Sequence, residues 1–148
     1  MTTQPYLVWQ ERYSVGNKAL DAQHKSMFVL LNELYDAFQD GQSTEAAAAM
    51  FHEAQRYAFT HFKTEELLLE QAAYPQLSEH KAKHRQYESD IERIKEQAER
   101  DGEYDSAALF LYLKDWWLNH ILMNDQQYAP FLASPGESTP SGDAGQSA

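Results

Sequence analysis

The chain has 148 residues, enough for one domain with a substantial core and too few for two. It carries 23 acidic against 12 basic residues, so its surface repels the phosphates of nucleic acids and of anionic lipids. It contains no cysteine, which excludes disulfides, thiolate nucleophiles and cysteine-bound metals. Neither a secretion signal nor a membrane-spanning apolar run occurs, so we expect a cytoplasmic protein with no nucleic-acid and no membrane partner.

Residues 1–19 are predicted to form an N-terminal arm, whose aromatic residues Trp9 and Tyr13 are available to pack on the remainder of the domain. Apolar side chains then recur at intervals of three and four residues, beginning with Met27 and Phe28. This period is typical of an amphipathic α-helix. The arm is therefore expected to lead into a first long helix.

Stretches at 39–44, 72–78 and 100–106 contain the glycine, proline and small polar residues that end helices, and they divide the middle of the chain into four helical segments. Because short connections between long helices favour antiparallel neighbours, the sequence predicts an all-α, up-down-up-down four-helix bundle over residues 20–133. Residues 134–148 are rich in serine, glycine and proline without a large apolar residue, and are predicted to be a disordered tail.

Histidines interrupt the apolar stripes of these helices. His80 and His84 are four residues apart, about 400° around a helix, so they share one face with the apolar residues of the third segment. His61 and Glu65 have the same spacing on the inner stripe of the second segment. Histidines of the first and fourth segments continue their own stripes, which gives the inward-facing set His24, His61, Glu65, His80, His84 and His120.

A single inward histidine is more often a hydrogen-bonded core residue than a metal ligand. Five imidazoles and a carboxylate are different, because burying them without a compensating charge costs several kcal/mol each. In antiparallel helices all six also fall near one end of the bundle, within about 5–16 Å of the helix-ending stretches. Independent core histidines have no reason to share a level, so the pattern predicts a metal site.

Asp125 is a weaker seventh candidate. It follows His120 by five residues, about 140° around an α-helix, and the alternative is a solvated aspartate near a helix end. A second carboxylate would nevertheless allow two metal ions to share bridging ligands, and seven ligands suit two ions better than one. The remaining histidine, His52, lies off the apolar stripe and is predicted to be at the surface.

Imidazole and carboxylate without thiolate leave iron, zinc, copper and manganese open as the metal. The HExxH motif of zinc proteases and the Glu-x-x-His pairs of ferritin-like di-iron proteins are both absent. A site rich in histidine and poor in carboxylate has few hard anionic donors to stabilise high-valent iron. If the metal is iron, this donor set favours reversible oxygen binding over oxygen activation.

Three spacings follow one another along the chain: His-x3-Glu, His-x3-His and His-x4-Asp. Together they are highly specific, although no single one of them is, and their order resembles that of the bacterial hemerythrins. The resemblance extends from Val8 to Leu132 and is carried by Trp9, YSVG (13–16), DAQH (21–24), HFKTEE (61–66), YPQLSEHKAKH (74–84) and WWLNHILMND (116–125).

The resemblance implies a pair of iron ions that share carboxylate bridges and an oxo or hydroxo bridge. One ion would be held by three histidines and the other by two, which leaves the second ion an open position for dioxygen. By this resemblance the ligands are His80, His84 and His120 for the first ion, His24 and His61 for the second, and Glu65 and Asp125 as bridges.

Five large side chains flank the predicted ligands at helical spacing and are expected to wall a dry oxygen pocket, although an ordinary core would contain similar residues. Trp117 departs from the family pattern, because relatives usually carry leucine there. The five residues are Met27, Phe62, Trp116, Trp117 and Ile121.

Several function classes remain open. The leading one is a monomeric, non-enzymatic oxygen-binding protein that carries or stores dioxygen or supplies it to an oxygen-using enzyme. A second is an oxygen or redox sensor that acts through a signalling partner. The shortness of the tail argues against this class. A third is a di-iron peroxidase or nitric oxide scavenger, which would need a proton donor that the sequence does not reveal. Storage of zinc or iron is the weakest alternative.

Overall fold

The computed structural model describes residues 5–40 and 44–132. Within these ranges the chain is helical and contains no strand, which confirms the predicted all-α, up-down-up-down bundle. The tail predicted at 134–148 lies outside the described residues. The helices are α1 (Lys18–Gln39), α2 (Thr44–Gln71), α3 (Leu77–Asp101), α4 (Ser106–Asn119) and α5 (Gln126–Leu132), with a 3-10 turn at Glu11–Tyr13 and a π-helical turn at His120–Asp125 between α4 and α5.

The N-terminal arm packs on α1. The backbone N–H of Leu7 donates to Oδ1 of Asn32 over 2.8 Å, and the Asn32 side-chain amide donates back to the Leu7 carbonyl over 3.0 Å. The rings of Trp9 and Tyr13 lie 5.5 and 5.1 Å from that of Phe28, measured between centroids. Both aromatic residues of the arm therefore contact the first helix of the bundle.

The start of α1 is fixed by two side chains. Oδ1 of Asn17 accepts a hydrogen bond from the N–H of Leu20 over 3.0 Å and so caps the helix. Asp21 accepts from the hydroxyl of Ser14 over 2.6 Å and from the N–H of Val15 over 2.9 Å. These contacts set the register of the first turns of α1, from which His24 projects inward.

The apolar core consists of a large cluster along the bundle and a smaller one at the end where α2 passes into α3. On α1, His24 lies between Leu20 of the smaller cluster and Met27 of the larger one. On α2, Glu65 similarly lies between Leu69 and Phe62. The polar residues of the bundle interior are thus enclosed by apolar side chains on both sides. Within the described ranges, no helix combines the length and apolar character needed to cross a lipid bilayer.

Candidate metal centre

The buried polar side chains form one cluster. Each of its members is at most 3 % exposed, and all of them were predicted from the sequence. Tyrosine aside, they are the buried residues of polar or charged type in the part of the chain that the structure describes: His24, His61, Glu65, His80, His84, His120 and Asp125.

Asp125 reaches this cluster because the chain forms a π-helical turn from His120 to Asp125. In a π-helix the hydrogen bonds run from residue i to i+5, so residues five apart share a face. Oδ1 of Asp125 accordingly lies 3.2 Å from Nε2 of His120. The α-helical angle expected between His120 and Asp125 was therefore wrong. Asp125, the weakest candidate from the sequence, is as deeply buried as the other six.

The cluster consists of two groups that share carboxylates. In each group the ligand-type atoms lie within 4.8 Å of one another, and Glu65 belongs to both. Asp125 also faces both groups, since its oxygens lie 3.2 Å from Nε2 of His24 and 3.2 Å from Nε2 of His80. The groups are Glu65 with His80, His84 and His120, and Glu65 with His24, His61 and Asp125.

The spacing of the atoms fits metal coordination. Nε2 of His24 is 3.1 Å from Nε2 of His61, and Nε2 of His84 is 3.2 Å from Nε2 of His120. Nitrogen ligands about 2.0–2.1 Å from a first-row metal ion, at right angles to each other, are about 3 Å apart. Imidazole nitrogens facing each other at this distance match neighbouring ligands of one ion.

The charges in the cluster also fit a cation. Neither oxygen of Asp125 receives a hydrogen bond, and Nδ1 of His24 has no hydrogen-bond partner. Burial raises the pKa of Glu65, but neighbouring imidazoles, chiefly that of His61, outweigh it and hold the pKa well below its ordinary value. Burial lowers the pKa of His80, yet the Asp125 and Glu65 carboxylates raise it overall to about 9. Ionised carboxylates enclosed in an apolar core require a positive charge, which protonated imidazoles supply without a metal and which a metal ion would supply in place of those protons.

Comparison with known proteins identifies the family. The family model described as the hemerythrin HHE cation binding domain matches residues 15–132. The chain belongs to the hemerythrin family. It is 36% identical over 125 residues to a bacteriohemerythrin of Stenotrophomonas maltophilia, covering 83% of this chain and 79% of the relative. A bacteriohemerythrin of Pseudomonas aeruginosa is 35% identical with the same coverage.

More distant hemerythrins agree with this assignment. A hemerythrin-like protein of Naegleria gruberi is 27% identical over 124 residues, covering 84% of this chain and 92% of the relative. The crystal structure of a wild-type hemerythrin superposes with a TM-score of 0.79 at 24% identity, covering 87% of this chain and 99% of the other. This last likeness establishes that the two chains share the hemerythrin fold.

In this hemerythrin domain, two imidazoles have outer partners that fix their tautomer. Nδ1 of His84 donates to Oε2 of Glu66 over 2.7 Å, and Arg85 donates to the same oxygen over 2.9 Å. Nδ1 of His61 donates to Oε1 of Gln23, also over 2.7 Å. A proton on Nδ1 leaves the lone pair of Nε2 free for a metal ion.

The sequence analysis predicted a role for none of the outer partners Glu66, Gln23 and Tyr128. The hydroxyl of Tyr128, which is fully buried on α5, donates to Oε2 of Glu65 over 2.6 Å. Glu66 and Gln23 each follow or precede a predicted ligand by one residue, and Tyr128 is three residues after Asp125. Helical spacing offered one signal for Tyr128, because residues three apart lie on neighbouring parts of a helix face.

The aromatic residues predicted to wall an oxygen pocket lie on different sides of the candidate centre. Phe62 stacks on His84 with ring centroids 3.9 Å apart and planes at 9°. Trp116 stacks on His120 at 4.4 Å and 14°. Both therefore cover the three-histidine group, and Trp116 is half-buried and lines a surface cleft of about 400 Å³.

Trp117 lies nearer the two-histidine group. Its ring centroid is 5.6 Å from that of His61, and its indole N–H donates to the hydroxyl of buried Tyr87 over 3.2 Å. Met27 and Ile121 are fully buried in the large apolar cluster. Trp117 is thus both a neighbour of the candidate centre and a hydrogen-bonded part of the interface with α3.

Proposed function

We propose that the chain binds dioxygen reversibly at a non-haem di-iron centre and carries, stores or supplies it. The observation that carries this proposal is the arrangement of the seven buried side chains in two groups joined by two carboxylates. Three histidines, His80, His84 and His120, would hold one iron ion, and His24 and His61 the other. Glu65 and Asp125 would bridge the ions together with an oxo or hydroxo group.

The unequal number of histidines in the two groups supports an open coordination position for dioxygen on the second ion. Two imidazoles serve the second ion and three serve the first, so the second ion has one fewer protein ligand. When bound, a ferrous pair supplies the electrons that dioxygen takes up and gives back. Small anions such as azide are expected to occupy the same position in the oxidised protein.

The chain's own residues orient the ligands and keep the site dry. Glu66 and Gln23 hold two imidazoles with Nε2 directed inward. Phe62 and Trp117, which stack on each other with centroids 5.5 Å apart, are both fully buried beside the candidate centre. Exclusion of water favours reversible binding, because water and protons would promote the loss of reduced oxygen as peroxide.

A proton-bearing group lies beside the predicted ligands. The Tyr128 hydroxyl donates to Oε2 of Glu65 over 2.6 Å, and burial together with the carboxylates of Asp125 and Glu65 raises its pKa well above the ordinary value. Tyr128 would therefore orient the Glu65 carboxylate in the proposed centre.

Iron content combined with an absorption spectrum tests this proposal. The reduced protein should hold two iron ions per chain and develop a new visible band with oxygen that disappears when oxygen is removed. Stoichiometric zinc in protein produced with ample iron, or a single iron, would contradict the di-iron centre. Immediate conversion to the oxidised form, without an oxygenated state in stopped-flow mixing, would contradict reversible binding and favour an enzyme or sensor.

A further inference from the structure

One surface cleft reaches the predicted metal ligands. It is the cleft of about 400 Å³ described above, which lies between α3, the second half of α4 and the π-helical turn, and is here called the α3–α4 cleft. His120, a predicted ligand of the three-histidine group, forms part of its wall. The same wall carries the polar side chains of Lys83, Gln86, Asp115, Asn119 and Asn124.

The volume of the α3–α4 cleft suits a hydrated metal ion. A divalent cation with six waters occupies roughly 180 Å³, since one water takes up about 30 Å³. Two other surface pockets near the centre are smaller. The pocket beside His80 measures about 90 Å³, and the pocket at Gln23 measures about 170 Å³, with no predicted ligand in its described lining. The α3–α4 cleft therefore combines sufficient space with direct contact to a predicted ligand.

The α3–α4 cleft offers oxygen atoms to a cation. The side chain of Asp115 is 64 % exposed, and those of Asn119 and Asn124 add amide oxygens. Gln86 donates its amide N–H to Asp90 over 3.0 Å, which leaves the Gln86 carbonyl oxygen available. Carboxylate and amide oxygens are ligands that divalent cations accept in place of water. A hydrated ion can thus exchange part of its water shell before it meets an imidazole.

The imidazoles nearest the surface are also the ones whose outer nitrogens are not held by the protein. Nδ1 of His84 and Nδ1 of His61 each donate a hydrogen bond to a side chain, as described above. Nδ1 of His80 and Nδ1 of His120 have no hydrogen-bond partner among the described residues, and both rings are 3 % exposed. Water is the partner that remains for them. Either ring can therefore turn outward without breaking a protein hydrogen bond at Nδ1.

We propose that the α3–α4 cleft is the entrance through which metal ions reach and leave the candidate centre, with His120 as the first imidazole on the way. Asp115 and Asn119 receive the hydrated ion at the surface. His120 turns toward the cleft and replaces one of the remaining waters. Its return to the inward position, where its Nε2 lies 3.2 Å from Nε2 of His84, brings the ion into the three-histidine group.

This entrance rests on the proposed di-iron function and adds the order in which the centre fills and empties. The three-histidine group has more ligands, yet it is the group beside the α3–α4 cleft. The two-histidine group lies deeper, since His24 is 0 % exposed and its Nδ1 is enclosed without a partner. The ion with more ligands is therefore expected to exchange first, because access and not ligand number sets the order.

Isotope exchange in the full, iron-loaded chain tests the entrance. The reduced protein is mixed without oxygen with an excess of ferrous iron enriched in a rare stable isotope. Unbound metal is removed after set times, and the bound isotopes are measured by mass spectrometry. Gln86→Trp places an indole in the cleft and should slow exchange several-fold. Iron content should stay at two per chain, because an entrance changes the rates of entry and exit equally.

Gln97→Trp is the matched control. Gln97 lies on the same helix and donates its amide N–H to Asp101 over 3.0 Å, as Gln86 does to Asp90. It lines a cleft of about 330 Å³ at the other end of α3, so its replacement should leave exchange unchanged. A variant that merely loosened the fold would exchange faster, so slower exchange in Gln86→Trp identifies a blocked entrance.

A change of charge provides a second test. Lys83 also lines the α3–α4 cleft, and its ammonium group repels cations. Lys83→Gln should speed exchange about threefold at low ionic strength and have little effect at high ionic strength. Lys95→Gln makes the same change about 18 Å further along α3 and should leave the rate unchanged.

Iron content and reversible oxygenation, measured on each sample, separate this proposal from the proposed function. Failure of the parent protein to hold two irons would overturn both. Two irons without reversible oxygenation, together with slower exchange in Gln86→Trp, would overturn the oxygen-binding function and support the entrance. Two irons with equal exchange rates in Gln86→Trp and Gln97→Trp would overturn the entrance alone. If Gln86→Trp fails to hold iron, equal rates in Lys83→Gln and Lys95→Gln at low ionic strength would overturn it.

The time course of exchange tests the order. In the parent protein one iron per chain should exchange in an early phase and the other in a later phase. Gln86→Trp should slow both phases, since both ions use the same entrance. Exchange of both irons in a single phase would contradict the order, and an unchanged later phase in Gln86→Trp would show a second entrance.

Discussion

The Nδ1 atom of His84 donates to Oε2 of Glu66, whereas Nδ1 of His61 donates to the neutral amide oxygen of Gln23. Both distances are 2.7 Å, so the two contacts differ in charge and not in length. An imidazole bonded to a carboxylate is a more basic ligand than one bonded to an amide. The two groups of the candidate centre are thus electronically unequal, and the more basic imidazole belongs to the three-histidine group.

Glu66→Gln tests this outer contact. The amide keeps a hydrogen-bond acceptor for His84 but removes the negative charge, so we expect the affinity for iron to fall by about 10–100-fold. The measurement is the rate at which a chelator removes iron from the protein. Glu70→Gln makes the same change on the exposed side of α2 and is the matched control. Equal rates for both variants would show that the carboxylate of Glu66 does not tune the ligand.

Replacing a predicted ligand should affect metal content and stability together. His84→Ala removes an imidazole from the three-histidine group, and metal binding contributes to folding stability. We expect fewer than two irons per chain and a lower melting temperature. His52 is exposed and lies outside the cluster, so His52→Ala should keep both irons and the melting temperature. Loss of iron in His52→Ala would contradict the placement of His52 outside the metal centre.

Six members of the cluster could be predicted from the sequence because regular helices fix their direction. His80 and His84 share a face at any position in an α-helix, and the antiparallel order brings them level with His61 and Glu65. Asp125 could not be placed in this way, since its direction depends on a local π-helical turn that periodicity does not reveal.

The outer partners were beyond prediction for a different reason. Glu66 and Gln23 lie beside inward-facing residues, where helical geometry predicts side chains directed toward a neighbouring helix or solvent. Glu66 reaches His84 only because α2 and α3 pack at a particular distance and rotation. The sequence contains the residues of such contacts, but the packing of two helices decides which of them meet.

Tyr128→Phe separates the roles of a hydroxyl and of a metal ion beside Glu65. The change keeps the buried ring but removes the donor 2.6 Å from Oε2 of Glu65. A hydrogen bond to a charged group contributes about 1.5–3 kcal/mol, so the metal-free variant should lose that much stability. Iron ions would compensate the carboxylate, so the loss should be smaller in iron-loaded protein. Urea unfolding of both forms measures the difference, and equal losses would contradict this account.

Trp117 connects stability with access to the candidate centre. It is fully buried, stacks on Phe62 at 5.5 Å and 17°, and donates its indole N–H to Tyr87. Its ring also lies 5.6 Å from that of His61, a member of the group predicted to hold the open position. A leucine at this position would remove the hydrogen bond and leave part of the space beside His61 empty.

We therefore expect Trp117→Leu to speed both azide binding and spontaneous oxidation of the oxygenated protein, because water and anions would enter more easily. The cavity should lower stability by about 1–3 kcal/mol. Tyr87→Phe is the control, since it removes the acceptor of the Trp117 hydrogen bond but leaves the indole in place. This control should lose stability without a change in either rate. Stopped-flow mixing with azide, absorption during storage in air and thermal melting provide the three measurements. If Trp117→Leu lost stability while both rates stayed the same, the indole would only pack between helices and would not restrict access.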